Sequence, residues 1–333
     1  MSKEELELVG IGNAIVDVLS KTQDGFLSEN KIHKGTMTLI EAEQAETLYS
    51  KMGPGQEMSG GSAANTIAGF ANLIGKGKSG FIGKVANDQL GNVFRHDITA
   101  TGVAFPTPGL QDGPSTARCL ILITPDAQRT MCTFLGAAVW ITPSDLDEEM
   151  IKNAKITYLE GYLFDRPRAK QTFHKASEIA HAAGKKVSLT LSDPFCVDRH
   201  RDEFLGLIKG GVDILFANEA EILKLFQTDD LDKAVFFARE ACPLSVITRS
   251  SKGSIVVSKN DTVEVEAEMI DTVVDTTGAG DMYAAGFLYG LSQFKTHGEC
   301  ARIGSIVAAE AISHVGARPQ TDLRKLLKDK KAI

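Results

Sequence analysis

An α/β fold, a doubly wound and mainly parallel sheet flanked by helices with a small β-sheet lid, is predicted by three features of this chain. Beyond residue 150, apolar runs of strand length alternate with helical periods. Two earlier stretches, residues 15–40 and 115–136, hold strand-like runs with no helix between them. The 333 residues, 43% apolar and 24% charged, suffice for a large buried core in one or two domains.

The elements follow in order. Leu6 to Ile11 is a short apolar run closing on glycine, as in a buried strand. "IVDVLSKTQ" and "GTMTLI" form the first strand pair of the lid. Ala63 to Ile74 has helical character; a glycine-rich turn, a strand from Ser79 to Val85 and a helix from Asp88 to Ala100 come next. "STARCLILIT" and "RTMCTFLG", joined by the turn Pro125-Asp126-Ala127-Gln128, form the second strand pair. "KITYLEG", "KKVSLTLS", "VDILFA" and "LSVITR" are strands interleaved with the helices Arg168–Ala183, "NEAEILKLF" and Leu231–Ala241. "MIDTVVD" is strand-like up to Asp275, and an apolar helix begins near Gly278. The expected division is a large unit of residues 1–14, 41–114 and 137–333, and a lid of residues 15–40 and 115–136. No repeat or low-complexity linker interrupts it.

Composition narrows the function. A formal charge of −7 disfavours nucleic acid as a partner. No run approaches the roughly 18 apolar residues of a membrane span. The opening "MSKEELELVGIG" lacks the layout of a signal peptide, and five scattered cysteines without C-x-x-C suit a reducing cytoplasm. Asn260-Asp261-Thr262 is formally a glycosylation sequon, and in a cytoplasmic protein it reads as a hairpin turn. The seven histidines show no zinc-ligand spacing.

Several glycine patterns compete for phosphate. "GIGNAIVD" lacks the third glycine of a dinucleotide fingerprint, and its acidic residue comes too early. "NLIGKGKS" has Asn72 where a P-loop needs glycine, and it lies between a helix and a strand, the reverse of the P-loop context. "DTTGAGD", Asp275 to Asp281, fits better. Glycine lets the backbone approach an anion, and the free N–H groups of a helix start point outward together. They suit a transferring phosphoryl group. Asp281 lies in the first turn beside that site, where the helix N-terminus should keep it ionised and weakly basic. A capped helix start alone is the bland alternative.

Two further motifs bear on that choice. In "MSGGSAANTIAGFANLIG" the paired glycines Gly60 and Gly61 open a helix carrying Asn65, whose amide suits vicinal hydroxyls. In "VDILFANEAEIL" Asn218 and Glu221 stand three apart just after a strand. They could hold the waters around Mg²⁺, although taken alone a helix cap with a solvated carboxylate is the stronger reading.

These motifs, in this order and spacing, resemble the ribokinase or PfkB-type family of ATP-dependent small-molecule kinases, from "GNAIVD" to "HVGARP". The resemblance implies a ribokinase-like fold with a β lid, a catalytic base at Asp281 and an anion hole at Gly278, Ala279 and Gly280. It implies hydroxyl ligands at Asp17, Gly61 and Asn65, with Gly60 beside them, and organisation of Mg²⁺ and phosphates by Asn218 and Glu221. Thr248 matches the start of an ATP-binding loop and Gly253 its far end. Ser250 departs from the family, which has glycine there. Asp275 and Thr277 match the positions that bind a monovalent cation such as K⁺ in many relatives.

Within the family, "GNAIVD", "YLEGYLFD" and "SDPFC…VDILFANEAE" are most similar to adenosine kinases. That implies phosphorylation of adenosine to AMP, with Tyr162 and Phe164 packing on the purine and Arg129 reaching phosphate from the lid. The alternatives are a sugar kinase acting on ribose, fructose or a keto-deoxy sugar acid, and a non-catalytic nucleotide sensor. The expected cofactors are ATP and Mg²⁺, and the expected assembly a monomer or homodimer in the cytoplasm.

Overall fold

The structure, a computed structural model, describes residues 5–126 and 128–333. Ala127 of the predicted lid turn and residues 1–4 lie outside the described residues. The main sheet holds eight strands among the described residues: β1 (Leu6–Ile11), β5 (Ser79–Ile82), β8 (Ala154–Glu160), β9 (Lys186–Thr190), β10 (Ile214–Asn218), β11 (Leu244–Thr248), β12 (Ser254–Ser258) and β13 (Thr262–Val265). Their order is β13-β12-β11-β10-β9-β8-β1-β5. The run from β5 to β11 is parallel, and β12 and β13 close one edge antiparallel. The sequon at Asn260 is the β12–β13 turn, as expected.

Helices cover both faces. α3 (Ser62–Ile74), α4 (Gln89–Ala100), α10 (Ala279–Ser292), α11 (His297–Ala311) and α12 (Leu323–Asp329) pack one side around Phe70, Phe81, Tyr158 and Phe287. α5 (Glu148–Asn153), α6 (Pro167–Ala182), α7 (Pro194–Gly211), α8 (Glu219–Phe226) and α9 (Leu231–Ala241) pack the other around Phe164, Phe173 and Phe204. Strands buried on both faces read as continuous apolar runs, which is why β8 to β11 were legible.

The second sheet has five strands in the order β3-β7-β6-β2-β4: β2 (Ile15–Lys21), β3 (Met37–Leu39), β4 (Gly55–Gly60), β6 (Ala117–Ile123) and β7 (Arg129–Phe134). β6 and β7 form the antiparallel pair expected of residues 115–136. Residues 15–40 do not form a pair. A short helix, α1 (Asp24–Glu29), separates β2 from β3; β2 lies between β4 and β6, and β3 pairs with β7. The segment predicted as a polar connection supplies Leu27, which packs with Leu48 of α2 (Ala42–Lys51) on Val18, Leu120 and Leu122. β4, "GQEMSG", lies within the residues assigned to the large unit, yet it pairs with β2; its sequence lacks the apolar alternation of a strand. "MIDTVVD" is no strand either. The N–H groups of Val274 and Asp275 both donate to one carbonyl, that of Ile312, and no neighbouring strand offers a ladder.

The lid springs from β1 through Asn13 and returns to the main unit through β4 and Gly61. Gly61 has φ +94°, and a Cβ there would lie 2.2 Å from the Asn13 carbonyl oxygen. Gly61→Ala is expected to destabilise the chain by about 2 kcal/mol or more, from left-handed strain plus a backbone clash. Thermal melting tests this, and an unchanged midpoint would show that the crossing relaxes freely.

Candidate active site

The carboxyl ends of parallel strands converge on one edge of a sheet, and that edge collects this chain's buried polar groups. α3 and α10 both start there. Gly278, φ +77°, is the N-cap of α10 and lies where a Cβ would press on Ala317, 2.6 Å from its Cβ. Asp281, in the first turn, accepts hydrogen bonds from Ser62 Oγ at 2.6 Å and Asn65 Nδ2 at 3.2 Å. Burial pushes its carboxyl up to about 6, against the two donors that hold it down. The helix end does not keep it ordinarily acidic, as the sequence had suggested.

The backbone ahead of it faces outward. The N–H groups of Gly278, Gly280 and Asp281 have no acceptor among the described residues, whereas that of Ala279 donates to Thr276 O at 3.2 Å. Ala279 therefore does not offer the donor expected of it. A Cβ added to Gly280 would meet no atom within 4 Å, so this glycine borders the open cleft.

Arg129 reaches across from β7. Its Nη1 lies 2.7 Å from Asp275 Oδ2 and donates to Thr277 Oγ1 at 3.3 Å, and its buried Nη2 has no partner. Asp275 also accepts from the N–H groups of Thr277 at 3.0 Å and Gly316 at 2.9 Å. Both residues predicted to hold a monovalent cation thus face a guanidinium and backbone donors. In this arrangement the pair does not fit a metal cation.

On the lid, Asp17 of β2 stands opposite Met58 on one side and Cys119 on the other. Burial raises its carboxyl to about 7, opposed by the positive charges of Arg318 and Arg129. Gly60 leaves the room it needs, since a Cβ there would lie 2.3 Å from Asp17 Oδ2. Asn65 is buried, and its Oδ1 accepts from Arg318 Nε at 3.3 Å. Asp17, Asn65, Asp281, Arg129, Asp275 and Thr277 thus form one neighbourhood.

The residues expected on the nucleotide side form a second. Asn218 caps α8 in a reciprocal box: its Nδ2 and N–H donate to Glu221 at 2.6 and 3.0 Å, and Glu221 N donates back at 2.9 Å. Burial raises Glu221 to about 7. The cap reading is therefore true as geometry. The pair also fits outer-sphere support of Mg²⁺, because each carboxylate oxygen keeps a lone pair beyond the one it uses. Among the described residues no group of three metal-ligating side chains converges, so such an ion must rest largely on water and phosphate.

Thr248 pairs with Asn218 across β10 and β11. After it the chain makes a 3-10 turn at Ser250–Lys252 and closes with Arg249 N donating to Gly253 O at 2.7 Å. Ser250 has φ +52°, so serine adopts the left-handed turn that the family's glycine would take without strain. Gly253, φ +81°, cannot carry a Cβ, which would fall 2.0 Å from Val265 O.

Tyr162 is partly buried. It lies in the 3-10 turn after β8, and burial raises its phenol, reinforced by the charges of Asp193, Asp281, Glu160 and Glu221. Phe164 belongs to neither neighbourhood. Its ring is wholly buried, stacked 4.2 Å from Phe204 in the core beneath α6 and α7, so it is not available to a ligand.

Four groups were missed. Ser62 follows the glycine pair directly. Glu160, a lone acid ending an apolar strand, was a legible anomaly: it accepts from Asn13 N, Asn13 Nδ2 and Ala63 N at 3.3, 2.7 and 2.8 Å, tying the lid's root to the start of α3. Phe195, at the start of α7, exposes 74% of its surface just beyond β9. Arg318 lies in an irregular segment with no periodicity to mark it.

Comparisons with known proteins show the family. Residues 36–323 match the sequence profile of the pfkB family carbohydrate kinases, and the chain belongs to that family. It is similar to a crystal structure of a probable sugar kinase from Rhizobium etli CFN 42, at 46% identity and TM-score 0.92 over 99% of this chain and 100% of the other. It is also similar to the adenosine kinase from Sinorhizobium meliloti, at 47% identity and TM-score 0.91 over 98% and 99% of the two chains. Adenosine kinase of Saccharomyces cerevisiae is 26% identical, covering 93% of this chain and 95% of its own. Among the described residues no helix is long and apolar enough to cross a membrane.

Asp17, Glu160 and Glu221 are raised to about 7 and Asp281 to about 6. Each holds its proton more tightly folded than unfolded, so the stabilisation it adds is present at low pH and lost between about pH 4 and 7. Surface carboxylates such as Asp126, held near 2 by Lys34, act below that window. The melting temperature of the unliganded protein should therefore fall from pH 5 to pH 8, and less steeply in Asp281→Asn. A rise over that range would contradict the burial of these groups.

Proposed function

We propose that this chain transfers the γ-phosphoryl group of ATP to a primary hydroxyl of a nucleoside, converting adenosine to AMP. The observation that carries the acceptor class is the setting of Asp17. Its face of the lid is mainly apolar: Ile15, Leu19, Met58, Cys119, Ile121, Ile123 and Met131 lie on it, with Gln56, Thr133 and Arg129 as its other polar residues. One carboxylate in a mainly apolar surface suits a ligand that joins a polyol to an apolar ring. A free sugar would leave those side chains against hydroxyls that have no partner there. Phe195 and Tyr162 offer aromatic surface at the ends of β9 and β8.

Asp281 exchanges one of its present donors, Ser62 or Asn65, for the acceptor hydroxyl. Burial makes it a stronger base than a surface aspartate, and the alcohol proton becomes acidic only as its oxygen bonds to phosphorus. The N–H groups of Gly278 and Gly280 receive the charge spread over the phosphoryl oxygens. Arg129 adds a guanidinium whose Nη2 is uncommitted. Asn218 and Glu221 would hold Mg²⁺ through water, where it would supply positive charge to the nucleotide's phosphates. Thr248 and the turn to Gly253 border the nucleotide. Every residue of this constellation comes from one chain.

ADP release measured over a panel of adenosine, other nucleosides, ribose, fructose and a keto-deoxy sugar acid tests the acceptor. Adenosine should be turned over best; turnover of a free sugar with none of adenosine would establish the sugar kinase reading instead. Asp281→Asn should lower kcat by roughly 10²–10⁴-fold while ATP still binds, and kcat/KM should fall as pH drops through about 7 to 6. Unchanged turnover would remove Asp281 from the mechanism. Gly280→Ala is the complementary case. The first helical turn accepts alanine at least as well as glycine, so thermal stability should hold or rise, while the new methyl enters the phosphate approach and turnover falls at least about tenfold. Retained activity would place the phosphoryl group elsewhere.

A further inference from the structure

Arg318 is an arginine set among the acceptor ligands. Its Nε donates to Asn65 Oδ1 at 3.3 Å, and its charge acts on both Asp17 and Asp97. Burial pulls its guanidinium down to about 10, and its Nη2 is buried without a hydrogen-bond partner. Asp97 is already taken by the backbone, accepting from Ser59 N at 3.0 Å.

The neighbours are already partly engaged. Asn65 gives one lone pair of its carbonyl to Arg318 and one amide proton to Asp281, which fixes its orientation and leaves it one of each. Asp17, ionised, only accepts. A pair of vicinal hydroxyls presents two protons and several lone pairs, and a carboxylate satisfies the protons alone. Guanidinium is the complementary group: it only donates, and it cannot be deprotonated at working pH. A buried N–H of this kind costs stability until something accepts from it.

We propose that Arg318 is a specificity-determining residue of the acceptor site, donating from Nη2 to a hydroxyl oxygen of the diol whose protons Asp17 accepts, while its Nε fixes the orientation of Asn65. This rests on the kinase reading above. It predicts that the site requires an intact vicinal diol, and that the requirement is shared between an acid and a base on opposite sides of it.

The test is a cycle between protein and substrate. kcat/KM is measured for adenosine, 2′-deoxyadenosine and 3′-deoxyadenosine with the wild type, Arg318→Met and Arg318→Lys, alongside KM for ATP and thermal melting. The wild type should lose roughly 10- to 100-fold or more on removal of the hydroxyl that Nη2 meets. Arg318→Met should lose activity on adenosine, yet its penalty for that deoxy analogue should shrink at least about tenfold, leaving the share due to Asp17. KM for ATP should stay within about threefold, and Arg318→Lys should recover part of the discrimination. A proportional loss on all three acceptors, with the deoxy penalties unchanged, would mean Arg318 only supports the fold and would overturn the proposal while the kinase reading stood. If a sugar replaces adenosine as the acceptor, the same criterion applies to that sugar and its deoxy analogues. Absence of turnover with every acceptor would overturn both.

Discussion

Two helices start at one point in this fold, and the carboxylate of Asp281 lies between them. The N-terminus of an α-helix carries partial positive charge and unpaired donors, so bringing α3 and α10 together there is unfavourable without an acceptor. Asp281 supplies one. It belongs to α10 and takes its hydrogen bonds from Ser62 and Asn65 of α3. Glu160 does the same for the other end of that junction, gathering Asn13 and the N–H of Ala63. These two buried acids hold together elements that would otherwise have no reason to meet.

Burial sets the chemistry of the same groups. Desolvation outweighs the hydrogen bonds at Asp281 and Glu160 and the nearby arginine charges at Asp17, and each is raised well above a surface carboxylate. Around them the positive charge comes from arginines on opposite sides, Arg129 from the lid and Arg318 from the segment after α11. Arg129 ties the lid to the loop before α10 through Asp275 and Thr277, at the place a monovalent cation was expected. Lid position and the charge beside the loop before α10 are thereby coupled in one side chain.

Much of this was legible in the sequence. β8 to β11 announced themselves because strands buried on both faces are written as apolar runs. The "DTTGAGD" helix start was legible because glycine there has a steric reason that no other residue meets. β4 and α1 were not legible: β4 is polar and glycine-bounded, held by its partner rather than by its own pattern, and α1 is a single short turn. "MIDTVVD" misled because β-branched residues suit a strand, yet no ladder was available beside them. Phe164 misled through proximity in sequence: two residues from Tyr162 in the same 3-10 turn, it packs into the core against Phe173 and Phe204. Arg318 and Ser62 carry no periodic or motif signal, and only the meeting of distant segments gives them a role.

The central claim is that Asp281 and the backbone of Gly278 and Gly280 form one phosphoryl-transfer centre. A crystal structure with adenosine and a non-hydrolysable ATP analogue tests it most directly. The primary hydroxyl oxygen should lie within about 3 Å of an Asp281 carboxylate oxygen, with Ser62 or Asn65 displaced from it. The terminal phosphate should rest on the N–H groups of Gly278 and Gly280. Asp281 still bonded to both Ser62 and Asn65, with the phosphate away from these glycines, would contradict the account.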